Sequence, residues 1–383
     1  MIPYGKQKIS QADIDSVLNV LTSDFLTQGP QVPLFEKNIA DHCQVDFACA
    51  VNSATSALHI SCLALEVGVG DIVWTTPISF VASANCALYC GASIDFVDID
   101  LASGNLSVKA LTDKLINAKL TNKLPKVVIF VHLAGQPCDM KAVKELANKY
   151  NFAIIEDASH AIGSYYFNAP VGNCQFSDIT VFSFHPVKII TSAEGGMAVT
   201  NSPELIEKLR LYRSHGITSI ESKMNGESDG PWYYQQIALG FNYRLTDIQA
   251  ALGTSQLSQL DNFVSKRNEV AKRYDIAFEK CELTPLIPTD NCYSAYHLYI
   301  VLLAGDNATR HKEIITKLRE CNILAHVHYI PIHTQPYYQK LGFCVGDYPN
   351  AESYYQRAIT LPLYPELSND DQQYIINTII SFL

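Results

Sequence analysis

The chain has 383 residues, 48% of them hydrophobic and 17% charged, with a net charge of −10. That length supports a large core and two domains, and the negative balance argues against a nucleic-acid footprint. Eleven cysteines at scattered spacing form no C-x-x-C pair, Met1 to Ser10 lacks the apolar core of a signal peptide, and no apolar run approaches membrane-spanning length, so free thiols in a reducing cytoplasm are expected.

In chain order, residues 10–23 read as a helix. Ser10 and Asp13 have capping-box spacing, and Ile14, Val17, Leu18 and Leu21 form one apolar face. Phe25 to Pro30 breaks it, and a second helix follows with Leu34, Phe35, Ile39 and Ala40 expected inward. A strand over 48–51 then runs through Asn52-Ser53-Ala54-Thr55-Ser56 into an apolar helix. Free amides and hydroxyls at a helix N-terminus make a phosphate site. Plain N-capping by Ser53 or Thr55 accounts for the same residues.

Strands and helices alternate from there: strands at 72–74, 94–97 and 127–132, and helices at about 79–90, 107–120 and 139–150. This predicts an α/β fold with a mostly parallel sheet, in which ligands gather at the carboxyl ends of strands. Ser53 to Thr55, Thr76 to Phe80, His132, Asp157 and Ser183 all sit at or near such ends. Residues 221–236 read as an exposed loop, with Asn225-Gly226 and Asp229-Gly230-Pro231 as turn signals. A helix is predicted from Ile248, running past Gly253 and long enough to connect domains. Beyond about residue 260 the pattern changes to helices and short strands. His326 and His328 take alternate positions along a strand, with His333 nearby, but no carboxylate or cysteine has matching ligand spacing, so no metal is expected. Gly68-Val69-Gly70 lacks the third glycine of a dinucleotide fingerprint.

Two stretches carry chemistry. In Val181 to Ile190 a single lysine, Lys188, lies inside an apolar run followed by Glu194-Gly195-Gly196. Desolvation favours the neutral amine, a nucleophile toward carbonyls, which is what a carbonyl-bonding lysine needs. A surface lysine beside a buried strand is the simpler alternative. Upstream, Phe152 to Glu156 reads as a buried strand ending at Asp157. Pyridoxal phosphate needs a lysine for its aldehyde and an acid for its pyridinium nitrogen. Asp157 suits that acid, although helix N-capping is also a common role for such an Asp.

Asn52 to Leu58, Thr76 to Ala82, Glu156-Asp157, Ser183 to Lys188, Glu194-Gly195-Gly196 and Gly240 to Ala251 together resemble the sugar aminotransferases of the DegT/DnrJ/EryC1/StrS family. The resemblance spreads over most of the chain. It implies a fold-type-I pyridoxal-phosphate architecture: a central, mostly parallel seven-stranded sheet in a large domain (1–255, its N-terminal segment reaching the substrate site) and a smaller C-terminal α+β domain (256–383). It implies that Lys188 bonds pyridoxal 5′-phosphate and shuttles a proton, and that Asp157 pairs with the ring nitrogen. Ala54, Thr55 and Ser183 would hold the phosphate, Phe80 would stack on the ring, and His160 would adjoin the cofactor. Asn242 would reach the phosphate in a partner subunit, making a homodimer with shared sites. Tyr4, Phe25, Leu26, Thr27, His328 and Tyr329 would border a UDP-sugar, with L-glutamate as amino donor. Position 160 is His where many members carry Gln, and position 54 is Ala where many carry Gly. Both departures resemble the family branch that aminates C4 of a UDP-linked 4-keto sugar for pseudaminic acid synthesis. Lys188 separates the chain from the family's deoxygenases, which carry histidine there. A cofactor-binding protein without catalysis is a further alternative.

Overall fold

The computed structural model describes residues 1–305 and 308–383. Seven strands form one sheet: β1 (Phe47–Val51), β2 (Ile72–Thr75), β3 (Ser93–Phe96), β4 (Val127–Val131), β5 (Ala153–Asp157), β6 (Ile179–Ser183) and β7 (Gly196–Thr200). Their order is β1-β7-β6-β5-β4-β2-β3. The pairs from β6 across to β3 are parallel, while β7 runs antiparallel to both neighbours. The continuous apolar run of β4 follows from burial on both faces. Val127 and Ile129 join a cluster with Leu58 and Ile60, whereas Val128 and Phe130 join one with Leu111 and Val143.

The helices that matter for the site are α1 (Gln11–Leu21), α2 (Gln31–Cys43), α3 (Ala54–Ala64), α4 (Ala82–Tyr89), α5 (Asp247–Leu257) and α6 (Leu260–Phe278). Ser10 and Asp13 form the expected capping box on α1. The inward set expected for α2 holds for Phe35, Ile39 and Ala40, but Leu34 is exposed. On α1 the apolar residues Ile14, Leu18 and Leu21 also face outward. Polar contacts turn α1 the other way: Asp13 accepts from Gln256 Nε2 at 2.7 Å, and the Ser16 hydroxyl donates to Ala251 O.

In place of the single helix expected from Ile248, the chain forms α5 and α6 with a break at Ser258-Gln259. There the amides bond three residues back, to Ser255 O and Gln256 O, which tightens and ends the turn. Gly253 persists inside α5 because α2 lies against it: a Cβ there would meet the Phe35 ring at 2.6 Å.

The C-terminal part has its own antiparallel sheet of β8 (Leu283–Pro285), β9 (Tyr299–Leu303) and β10 (Ala358–Leu361). Helix α6 and helices Ala308–Glu320 and Asn369–Ile380 close over it around Tyr274, Val301, Leu318, Ile359 and Ile375. The first residues of the chain join this part. Ile2 exchanges backbone hydrogen bonds with Asn322 and Leu324, and Leu363 N–H donates to Tyr4 O. His326 and His328 lie in irregular chain rather than on a strand, with one isolated bridge from His326 to Thr360.

Candidate active site

The carboxyl ends of β4, β5 and β6 and the start of α3 open onto a cavity of about 490 Å³. Side chains alternate along β5, so its last two residues part company. Asp157 faces the cavity. Its Oδ2 accepts from Ser83 Oγ at 2.7 Å, and its Oδ1 accepts from Ser159 Oγ at 2.6 Å and from Ser159 N–H at 3.1 Å. The chain after it forms turns, so Asp157 caps no helix. Glu156 faces the other side, where it meets His132 Nε2 at 2.7 Å and accepts from Ser177 and Thr180. His132 therefore lies at a strand end but is absent from the cavity lining.

Lys188 sits in the turn after β6, its N–H donating to His185 O. Its amine lines the cavity that Asp157 also lines. Burial lowers the Lys188 pKa to about 8, against the opposing pull of Asp157. Burial thus brings the neutral amine, the form that nucleophilic use requires, closer to neutral pH.

At the start of α3 the capping falls to Ser53, whose side chain accepts from Ser56 N–H at 3.1 Å. That leaves the amides of Ala54 and Thr55, in the first turn with no intrahelical acceptor, and the Thr55 hydroxyl. Ser183 ends β6 on the same cavity. The backbone of β7 passes close behind: a Cβ on Gly196 would meet Ser53 O and Ala54 N at 2.5 Å. Only glycine lets this strand lie against the turn.

Tyr4, His328 and Tyr329 also line the cavity. The Tyr4 ring lies 5.1 Å from His328 and 5.6 Å from His326. Burial lowers the His328 pKa to about 3, and its Nδ1 pairs with Thr360 Oγ1 at 2.9 Å. Phe80, a cavity-lining residue, is exposed and lies 6.5 Å from the Tyr329 ring, and α4 starts at Ala82, after the expected Ser79. His160 lies behind, bonded to Tyr329.

Four residues expected at the site do not line this cavity. Asn242 is exposed on a segment bridged to Ser214. Phe25 and Leu26 are exposed, and Thr27 pairs with Thr246. A second cavity of about 240 Å³ adjoins them, lined by Gln28, Glu36, Arg213 and Arg244 among others. The main cavity also includes Ser159, His185 and Glu194, to which sequence reasoning assigned no site role, and His326 of the histidine-dense stretch. Ser159 carried a signal, since Asp commonly bonds the backbone two residues on. Ser83, which clamps Asp157 from α4, carried none.

An amine, a clamped carboxylate and free amides at a helix N-terminus behind a glycine form a donor set that fits pyridoxal phosphate. The family model described as the DegT/DnrJ/EryC1/StrS aminotransferase family matches residues 7–380. The chain belongs to that family. It is an aminotransferase of fold type I, and pyridoxal phosphate is the family's cofactor. The aminotransferase is 38% identical, over 100% of its length and 98% of the relative's, to the UDP-4-amino-4,6-dideoxy-N-acetyl-beta-L-altrosamine transaminase of Campylobacter jejuni. It superposes at a TM-score of 0.90 on PseC of Helicobacter pylori, an aminotransferase of pseudaminic acid biosynthesis, with 36% identity and coverage of 100% and 98%. It superposes at 0.91 on a sugar aminotransferase of Streptococcus pneumoniae in its PMP form, with 30% identity and coverage of 100% and 99%.

Proposed function

We propose that this aminotransferase moves the amino group of L-glutamate to C4 of UDP-2-acetamido-2,6-dideoxy-β-L-arabino-hex-4-ulose, giving UDP-4-amino-4,6-dideoxy-N-acetyl-β-L-altrosamine. The observation that carries the chemistry is the Lys188 amine and the Asp157 carboxylate on one cavity. The sugar rests on the Campylobacter and Helicobacter relatives, and on Ala54 and His160 where other family members differ.

Bound pyridoxal phosphate supplies an electron sink for charge at the substrate carbon. Lys188 would hold the cofactor through its amine and would move a proton to and from that carbon. Asp157 keeps the ring nitrogen protonated, and the Ser83 and Ser159 hydroxyls fix the carboxylate that does so. The amides of Ala54 and Thr55, with the Thr55 and Ser183 hydroxyls, hold the phosphate. Phe80 would stack on the ring and His160 would adjoin the cofactor, and both line the cavity. Tyr4, His328 and Tyr329 border the sugar.

Homodimerisation completes the reading. The outward apolar faces of Ile14, Leu18, Leu21 and Leu34, with Phe25 and Leu26, suit burial against a second copy. Such a copy would bring Asn242 to the partner's phosphate and Phe25, Leu26 and Thr27 to its sugar. Within each subunit, the expected division into a large domain of residues 1–255 and a small one of 256–383 falls inside α5, which runs to Leu257, and Ile2 and Tyr4 bond to the smaller part. Eleven free cysteines support a cytoplasmic setting. The test is amine transfer from glutamate to a panel of UDP- and dTDP-linked 4-keto sugars. The altrosamine product is expected from the named substrate, and preference for another sugar would overturn that assignment.

A further inference from the structure

Among the described residues the Tyr329 hydroxyl has one hydrogen-bond partner, His160 Nε2 at 3.1 Å, and the direction of that bond decides what Tyr329 offers the cavity. The direction is set on the other side of the imidazole. There the main-chain N–H of Ala134 donates to His160 Nδ1 at 3.3 Å. An N–H cannot donate to a protonated nitrogen, so Nδ1 is bare. The Ala134 amide is held in place by its turn: Ala134 has φ 60°, and the preceding Leu133 N–H is tied to Asn105 Oδ1 at 3.0 Å.

The imidazole is also kept neutral. Burial lowers its pKa well below the ordinary value, and Lys188 and His328 lower it further. A neutral ring with a bare Nδ1 carries its proton on Nε2. That proton goes to the Tyr329 oxygen, and the phenol hydrogen must point elsewhere. Burial and the nearby charge of Asp157 keep the phenol protonated. No acceptor for its hydrogen is found among the described residues, and Tyr329 lines the cavity.

We propose that Tyr329 donates a hydrogen bond to a carbonyl or hydroxyl oxygen of the sugar nucleotide, with His160 as the positioning residue that fixes its polarity under the direction of the Ala134 amide. This rests on the sugar-aminating reading above. A neutral phenol suits a sugar oxygen, whereas the carboxylates of an amino donor are met best by cations.

Two measurements test it. The first is nitrogen-15 NMR of histidine-labelled holoenzyme, with the His160 signals assigned by comparison with His160→Gln. A protonated Nε2 and a bare Nδ1 are expected at neutral pH. A protonated Nδ1, or a doubly protonated ring, would overturn the proposal whatever the substrate. The second separates the two half-reactions by stopped-flow absorbance. In Tyr329→Phe the sugar half should slow by about tenfold more than the glutamate half, as loss of one hydrogen bond to substrate predicts. Equal slowing of both halves would overturn it. His160→Leu should reproduce that imbalance, and His160→Gln, which keeps an N–H donor, should reduce it. Identical behaviour of the two variants would also count against the proposal. If wild-type protein aminates no keto sugar, the functional reading fails, and the NMR result still decides the polarity of Tyr329.

Discussion

Glu156 and Asp157 are neighbours in the chain and belong to opposite faces of the sheet. Asp157 turns to the cavity and is held by Ser83 and Ser159, while Glu156 turns to a buried pair with His132. The proposed reading gives Asp157 to the cofactor and Glu156 to the fold, and substitution should separate them.

Asp157→Asn keeps size and removes charge. A single electrostatic partner is worth on the order of 3 kcal/mol in a barrier, so turnover should fall about a hundredfold with the fold intact. Steady-state rates and circular dichroism check this. Glu156→Ala should instead lower unfolding stability by about 3 kcal/mol, since it strands a buried partner, while retaining the cofactor. Urea unfolding and the cofactor's absorbance separate the two outcomes.

The second prediction concerns pH. Burial shifts the Lys188 pKa from 10.5 down to about 8. The folded state then binds fewer protons than the unfolded state between those values, so stability rises with pH across that window. Below pH 8 the full cost of charging the amine is present. Cofactor-free Lys188→Met should therefore be more stable than wild type below pH 8, by no more than about 3 kcal/mol. The gap should close as pH rises toward 10.5. Paired urea titrations at several pH values check the sign, and a gap that widens with pH would contradict it.

Gly196→Ala puts a methyl 2.5 Å from the backbone of Ser53 and Ala54. The first turn of α3 must move, and overpacking of this kind costs about 1–3 kcal/mol. Because that turn is the proposed phosphate cradle, cofactor should be lost on dialysis at least about tenfold faster than from wild type. Unchanged retention would place the phosphate elsewhere.

The shared site can be tested by mixing subunits. Lys188→Ala and Asn242→Ala proteins, each impaired alone, would be unfolded and refolded together. A mixed dimer contains one site with intact Lys188 and the partner's intact Asn242, so activity should return. Mixed dimers without activity would remove Asn242 from the partner's site.

Much of the fold was legible in the sequence because the strands are buried on both faces and the helices are capped. Ser10, Ser53 and Thr246 all cap helices in the structure. Lys188 and Asp157 were legible because a charged residue in an apolar run stands out. Three features were not. The outward direction of the α1 apolar face and of Leu34 on α2 was not legible, because apolar periodicity records burial without saying against what. The break after α5 comes where the Ser258 and Gln259 amides bond three residues back, and no proline or glycine marks it in the sequence. The polarity of Tyr329 depends on a backbone amide at Ala134, which side-chain sequence does not encode.

The central claim is that Lys188 carries the cofactor, and borohydride reduction of the yellow holoenzyme tests it most directly. After reduction and digestion, mass spectrometry should find the pyridoxyl group on the peptide containing Lys188, and Lys188→Ala should lose both the label and turnover. A label on any other lysine, or full turnover in Lys188→Ala, would contradict the account.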